Sequence, residues 1–500
     1  AYTAGGAIKV TVTLKDSYEN LVGGQRDAIN QAIQLPNTKA ESIAWNEDQK
    51  GIYTATYTAL LPGTGLKAQL QMSGWASALT SNDYSISGDA ASAQIVAMQV
   101  TTGNPDVLAN GSDRHTVNVR VEDQFGNVLP EQTVTFTVTK GAAVFANAGQ
   151  SADIRTDAHG MAEVDLSSTV ADASTVEAKI NQSSDSKTVN FIADVSTAQV
   201  AELVVTQDGS VADGSTANML RVRVTDVFGN VLAGQTVSVL ADNGATVAPT
   251  VITEPDGTVE ISVTSQTAGI SAVTASINSS SQSRNVTFIA DVRTAQIADL
   301  AVIKDGSVAD GSTANTLRAR VTDAFGNALA GQTVSVLADN GATVSPTVIT
   351  GPDGTVEISV TSQTAGISAV TVSINNSTLS QNVTFIADVR TAKIAELVVS
   401  QDNAVADGAT ANTLRVRVTD AFGNALNGQT VSVLADNGAT VTPTVTTEPD
   451  GTVEISITSQ TAGVSAVTAT INSSTQSQNV TFIADVSTAK IADLVVIKDG

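Results

Sequence analysis

A period of 97 residues runs through this chain. The pentapeptide FIADV begins at Phe191, Phe288, Phe385 and Phe482, and D-x-F-G-N begins at Asp123, Asp226, Asp323 and Asp420, with spacings of 103, 97 and 97. Glu202–Ala290 and Asp299–Ala387 differ at only 15 of 89 aligned positions. One unit has been copied several times. Solenoid repeats of roughly 20–45 residues cannot close a core alone, whereas a unit of this length matches a complete two-sheet sandwich of about 100 residues.

The residues within a unit predict strands. Leu317, Ala319 and Val321 alternate with Arg318 and Arg320, which gives one buried and one wet face. The turn Asp323–Gly331 follows, rich in Asp, Asn and Gly for left-handed backbone positions. Next come strands at Thr333–Ala338 and Thr343–Thr350, separated by Asp339-Asn340-Gly341. Val356, Ile358 and Val360 alternate after a Gly351–Gly354 turn, and Ser368–Ile374 and Asn382–Val389 complete about seven antiparallel strands. Hydrophobic residues make up 42% and aromatics 3%, so the cores are built from Val, Ile, Leu and Ala. No helical period of useful length is present. The expected fold is all-β, a tandem series of immunoglobulin-like sandwiches.

The expected division is 1–92, a divergent domain; 93–194, a longer variant; 195–291, 292–388 and 389–485, the close repeats; and 486–500, the start of a further copy. In the first domain Asp16-Ser17-Tyr18-Glu19-Asn20 stands where D-x-F-G-N is expected, and Gly51–Leu60 parallels DGTVEISVTS. Only 15 residues precede Asp16, against 31 between Asp194 and Asp226, so the first strand of this domain is expected to be missing. The opening AYTAGGAIKV lacks the basic start and apolar run of a signal peptide. Both ends read as cuts through a longer array. Domains are joined through A-D-V-[RS]-T-A-[QK]-[IV]-A-[DE]-L with no Gly/Ser- or Pro-rich spacer. Such a link predicts a semi-rigid, monomeric rod, with roughly 35–45 Å added per domain.

Acids outnumber bases 49 to 25, for a net charge of −24. Nucleic acid and anionic lipid would be repelled, and solubility is the plain consequence. No stretch approaches the roughly 18–20 unbroken apolar residues of a membrane helix. Cysteine is absent, and domains of this size bury about two-thirds of their surface without disulfides.

Little here can do chemistry. Of two histidines, His159 occupies a turn position that sister copies fill with Asp256 or Asp450, and His115 falls in a long strand. Both read as structural. No phosphate loop, nucleophile elbow or zinc pattern occurs, so no enzyme, cofactor or catalytic residue is expected. Asp208, Asp213, Asp242 and Asp256 recur as Asp305, Asp310, Asp339 and Asp353. Each stands singly beside Gly or Asn, the grammar of tight turns, and calcium at these turns is the lesser expectation. Sequons such as those at Asn278 and Asn472 read as polar strand ends, and the pairs Arg221/Arg223, Arg318/Arg320 and Arg415/Arg417 as partners of neighbouring acids. All five tyrosines and both tryptophans lie within residues 1–84. Trp45, Tyr53, Tyr57 and Trp75 are therefore the candidates for contact with a ligand, against the plainer expectation that they fill the first core.

The strings VRVTDAFGNALNGQTVSVLADNGATVTPT and DGTVEISITSQTAG resemble the bacterial Ig-like (Big-1) domains of the intimin/invasin family, over residues 93–500 and more weakly before. The resemblance implies the passenger stalk of an inverse autotransporter. Such proteins are exported across the Gram-negative outer membrane to the cell surface and carry an adhesive tip that grips a host cell-surface or extracellular protein. Barrel and tip have no counterpart in this chain, so no receptor-binding residue carries over.

Overall fold

The computed structural model describes residues 1–39 and 43–497. The last three residues of the expected sixth copy, 498–500, lie outside them. The alternation read at Leu317–Val321 sits in the strand Asn315–Thr322, where Leu317, Ala319 and Val321 are fully buried and Arg318 and Arg320 exposed. Arg318 lies directly opposite Glu357 on one neighbouring strand, and Arg320 opposite Asp299 on the other. The wet face is thus ruled with opposite charges in cross-strand register.

Each close repeat folds the same way. In residues 199–289 one sheet has the order Gln199–Gln207, Asn218–Thr225, Thr258–Thr264, Thr246–Val247. The other has the order Ser210–Val211, Ser280–Ile289, Gly269–Ile277, Thr236–Ala241, Thr250–Ile252. All pairings are antiparallel except the short Ser210–Val211, which runs parallel to Phe288–Ile289. The first strand carries its inward residues three apart, a spacing that does not suit a plain strand. A slip of the ladder between Val200 and Glu202 corrects it and brings Val200 and Leu203 both into the core. The expected strand at Thr343–Thr350 is shorter, Thr347–Ile349, with Thr343 joined to Thr361 by an isolated bridge.

Five buried clusters follow one another along the chain. Those of the close repeats are Val, Leu, Ile and Ala with a single Phe, namely Phe288, Phe385 or Phe482. The cluster between Ala93 and Phe191 adds Phe136 and Phe145. Gly354, in the turn between Gly351 and Thr355 of the repeat at 292–388, has φ +74, and a Cβ there would meet the Val321 carbonyl oxygen at 2.7 Å. Only glycine closes that turn.

The first unit departs from the pattern. Its strands are β1 (Tyr2–Thr3), β2 (Ala7–Thr13), β3 (Ile33–Gln34), β4 (Asn46–Gln49), β5 (Ile52–Thr58), β6 (Gly63–Leu66), β7 (Gln69–Leu70), β8 (Leu79–Thr80) and β9 (Tyr84–Ser87). They form three small sheets, β1-β9-β6, β2-β5-β4 and β3-β7-β8. Contrary to the expectation of no helix, one helix, α1 (Arg26–Ala32), lies between β2 and β3 along the chain and buries Ile29.

Because each core is separate, damage should stay local. Phe385→Ala is expected to destabilise its own sandwich by about 3–5 kcal/mol and leave the others intact. Denaturant titration followed by circular dichroism should then show one early transition ahead of the main one.

Candidate functional site: the joint between sandwiches

Asp323, fully buried, organises the loop after its strand. One carboxylate oxygen accepts from the amides of Phe325 and Asn327, both at 2.9 Å. The other accepts from the Asn327 side chain at 2.8 Å and from the amide of Asp291 at 3.1 Å. Asp291 belongs to the link from the preceding sandwich, so this carboxylate ties its own loop to the incoming chain. Gly326 takes the left-handed turn, with φ +88. Asn327 does not, which corrects the expectation that the asparagine serves a left-handed position.

Asn327 reaches across the joint instead. Its amide nitrogen donates to the Gln266 carbonyl at 2.9 Å, and its oxygen accepts from the Ala268 amide at 2.8 Å. Gln266 and Ala268 lie in a loop of the preceding sandwich, which the Ser265 hydroxyl shapes by bonding both the carbonyl and the amide of Thr267. The same clasp joins Asn230 to Thr169 and Ala171, and Asn424 to Gln363 and Ala365. At the first joint Asn127 makes one such bond, to Leu60 at 2.8 Å. There Phe125 lies against Gly5, where a Cβ would stand 2.7 Å from its ring.

The link is itself a capped turn. Val292–Thr294 forms one turn of 3-10 helix, capped by the Asp291 side chain, which accepts from the Arg293 amide at 3.0 Å. The Thr294 hydroxyl bonds the Asp291 carbonyl and receives the Ala324 amide at 3.1 Å. Gln296 adds a bond to the Asp323 carbonyl at 3.2 Å. Hydrogen bonding from the Arg293 side chain holds the Asp291 carboxyl below the usual aspartate value, against the opposing effect of burial. At Asp123 burial works to raise the value, but the Asn127 side chain and the amides of Asn127, Asp89 and Phe125 outweigh it. Asp213 is lowered by the backbone and side chain of Thr216 and by Ser215.

The residues singled out in the sequence fall elsewhere. Trp45, Tyr53 and Tyr57 are buried in the first core; the Trp45 and Tyr57 rings meet edge to face at 6.4 Å, and the Tyr53 hydroxyl donates to the Val22 carbonyl. Trp75 stands apart from them, 39% exposed. The recurring aspartates each serve an amide: Asp208 accepts from Thr287, Asp213 from Ser215 and Thr216, Asp242 from Ala272 and Asp256 from Thr258. Among the described residues no three acids or histidines gather in a metal-binding group. Asn278 and Asn472 occupy left-handed turn positions, with φ +50 and +48. His159 is exposed in its turn, its amide donating to Asp157. His115 is buried, with Nε2 2.8 Å from the Asn190 carbonyl and its ring at 5.0 Å from that of Phe191. It stands eight residues before Asp123, as Asn218 stands before Asp226, and Asn218 makes the matching bond to Thr287. That shared offset was the signal for its role.

Four stretches, 97–192, 200–289, 297–386 and 394–483, match the family of the bacterial Ig-like domain (group 1). Over 515 aligned positions the chain is 31% identical to the inverse autotransporter adhesin YeeJ of Escherichia coli (strain K12), covering 98% of this chain and 22% of that protein. The chain therefore spans a minor part of that relative's length. Among solved structures it is similar to invasin, described as a bacterial integrin-binding protein, at 22% identity over 77% of this chain and 79% of that one, with a TM-score of 0.37. InvD of Yersinia pseudotuberculosis is similar at 17% identity over 57% of this chain and 97% of that one, with a TM-score of 0.38.

Removing the clasp should loosen one joint without unfolding its neighbours. Asn327→Ala deletes both bonds across the joint, each worth about 1 kcal/mol, and a wider spread of bend angles at that joint alone is expected in electron micrographs. Acid should act on Asp123, Asp213 and Asp291, whose carboxyls are held below the usual aspartate value. Lowered folded-state values mean that their stabilisation is complete above the unfolded value near 3.9 and is lost as pH falls through the folded values. Thermal melts should be nearly flat from about pH 7 to 5 and shift downward once the pH drops below about 4.

Proposed function

Because this chain belongs to the bacterial Ig-like domain (group 1) family, we propose that it is a length of extracellular stalk from an outer-membrane adhesin. The observation that carries this reading is the repeated clasp, in which each D-x-F-G-N loop is bonded to the link and to a loop of the sandwich before it. Such joints suit a semi-rigid, single-file rod that holds a tip away from the cell. The sandwich divisions near residues 92, 194, 291, 388 and 485 fall at or beside these links, a placement that supports the domain limits read from the repeat. Export across the Gram-negative outer membrane to the cell surface, and attachment to a host protein through a region outside this stretch, complete the proposal. The role is mechanical, with no catalysis. Burial of Trp45, Tyr53 and Tyr57 favours the stalk over direct ligand contact by the first unit.

Small-angle scattering tests it. A rod of about 200 Å gives a radius of gyration of roughly 50–65 Å, whereas a 500-residue globule gives about 23 Å. A value near the second would overturn the stalk reading.

A further inference from the structure

The two sheets of a close repeat present different surfaces to water. The sheet that begins each sandwich is ruled with charges, as Arg318 opposite Glu357 and Arg320 opposite Asp299 show. The five-stranded sheet is not. In residues 292–388 it comprises Ser307–Val308, Ser377–Ile386, Gly366–Ile374, Thr333–Ala338 and Thr347–Ile349. Its outward residues are all Ser, Thr, Asn, Ala, Val, Leu or Ile. Among the described residues, the corresponding strands of the three close repeats hold a single charge, Arg284. That residue has the strand parity of the buried Val286 and Phe288, not of the outer face. A chain of net charge −24 thus keeps one face of each close repeat free of charge.

The fold does not demand this. In the sandwich at 93–194 the matching registers place Arg155, Asp153, Lys179 and Glu177 where residues 292–388 have Ile349, Thr347, Ser373 and Thr371. Thr137 stands there in the place of Leu337. Each of these positions therefore accepts charge or a hydroxyl, and the close repeats put apolar groups out instead. Leu240, Leu337 and Leu434 are 71%, 70% and 71% exposed, and Ile270, Ile367 and Val464 are exposed on the adjoining strand. The hydroxyls around them are turned on one another, Thr274 bonding Ser283 at 3.2 Å and Thr371 bonding Ser380 at 3.1 Å. Covering such a face removes apolar surface from water and strands no ion. Large Leu337, Ile349 and Ile367 share the face with small Ser335, Ala369 and Ser373, so it carries both the knobs and the hollows that a two-fold contact requires.

We propose that the charge-free faces of the close repeats pack on one another in two copies of this chain, so that the chains associate side by side. The area of the face sets the strength of the contact. Five strands about 4.8 Å apart, two of them short, present roughly 450 Å². A facing pair buries roughly 900 Å², just under the 1,000–1,200 Å² at which specific interfaces begin. One pair of sandwiches is marginal, and several in series are not. A second copy meets that need, because the same clasp sets the same spacing of faces in both chains. The acids that remain near the face stand at its rim. Asp305 and Asp339 are exposed there, each accepting from an amide of the sheet at 2.6 Å. Salt screens their mutual repulsion and has no ion pair to weaken across the contact, so association strengthens as ionic strength rises. This departs from the monomer that the sequence led us to expect, and it does not depend on the adhesin reading.

Sedimentation velocity of the intact 500-residue chain from about 1 to 100 μM, in low and high sodium chloride, tests the proposal, with electron microscopy to measure particle width. The decisive variant combines Thr274→Glu, Thr371→Glu and Thr468→Glu. Glu177 already occupies the equivalent place at 93–194, so the substitution suits the fold, and an unchanged thermal melt verifies it. The expected result is a population of particles of doubled width that grows with concentration and with salt. The triple variant should weaken it by more than about tenfold. A species that stays monomeric at every concentration and salt would leave the face to a partner of another kind and overturn the proposal. Association untouched by the triple variant, association weakened by salt, or longer particles of single width would overturn it as well.

Discussion

A carboxylate withdrawn from water must be surrounded by donors, and the architecture turns on how Asp323 and its copies meet that demand. Bare burial of such a charge costs several kcal/mol. The loop supplies three N–H donors, two from its backbone and one from Asn327. The fourth comes from the amide of Asp291, in the link to the preceding sandwich. Among the described residues no cationic side chain pairs with Asp323; Arg293 pairs with Asp291 instead. The folding of one sandwich is therefore completed by the chain that enters it. Asn327, fixed by the same carboxylate, has no freedom left except to face the neighbouring loop. Orientation between sandwiches follows from hydrogen-bond satisfaction inside one of them.

Much of this was legible in the residues, and the limits have physical causes. Period-two alternation located the long strands correctly, because one face of each is buried and the other wet, as Leu317 to Val321 show. Strands of two residues such as Ser307–Val308 leave no such signature, since alternation needs length. The helix at Arg26–Ala32 is a single two-turn segment whose only buried residue is Ile29, too little to mark a period. The absence of a spacer pointed to a stiff joint. The clasp itself stayed hidden, because an asparagine in a Gly-rich turn reads as a backbone device and its partners lie 59 and 61 residues away.

The concentration of aromatics in the first unit also has a structural reading. With shorter strands divided among three small sheets, that core depends on large side chains that span between pieces of irregular chain. Tyr53 does so with its ring in the core and its hydroxyl bonded to Val22 and to the amide of Gln25. The close repeats, framed by long ladders, need only one Phe each.

The clasp grips its neighbour through main-chain groups alone, one carbonyl and one amide. A peptide group is the same whatever side chain it bears, as Thr169, Gln266 and Gln363 in equivalent places illustrate. Any unit that keeps the loop shape can therefore follow any other without matched side chains. Unequal crossing-over within the gene could lengthen or shorten such an array by whole units, and each new junction would be correctly formed from the outset.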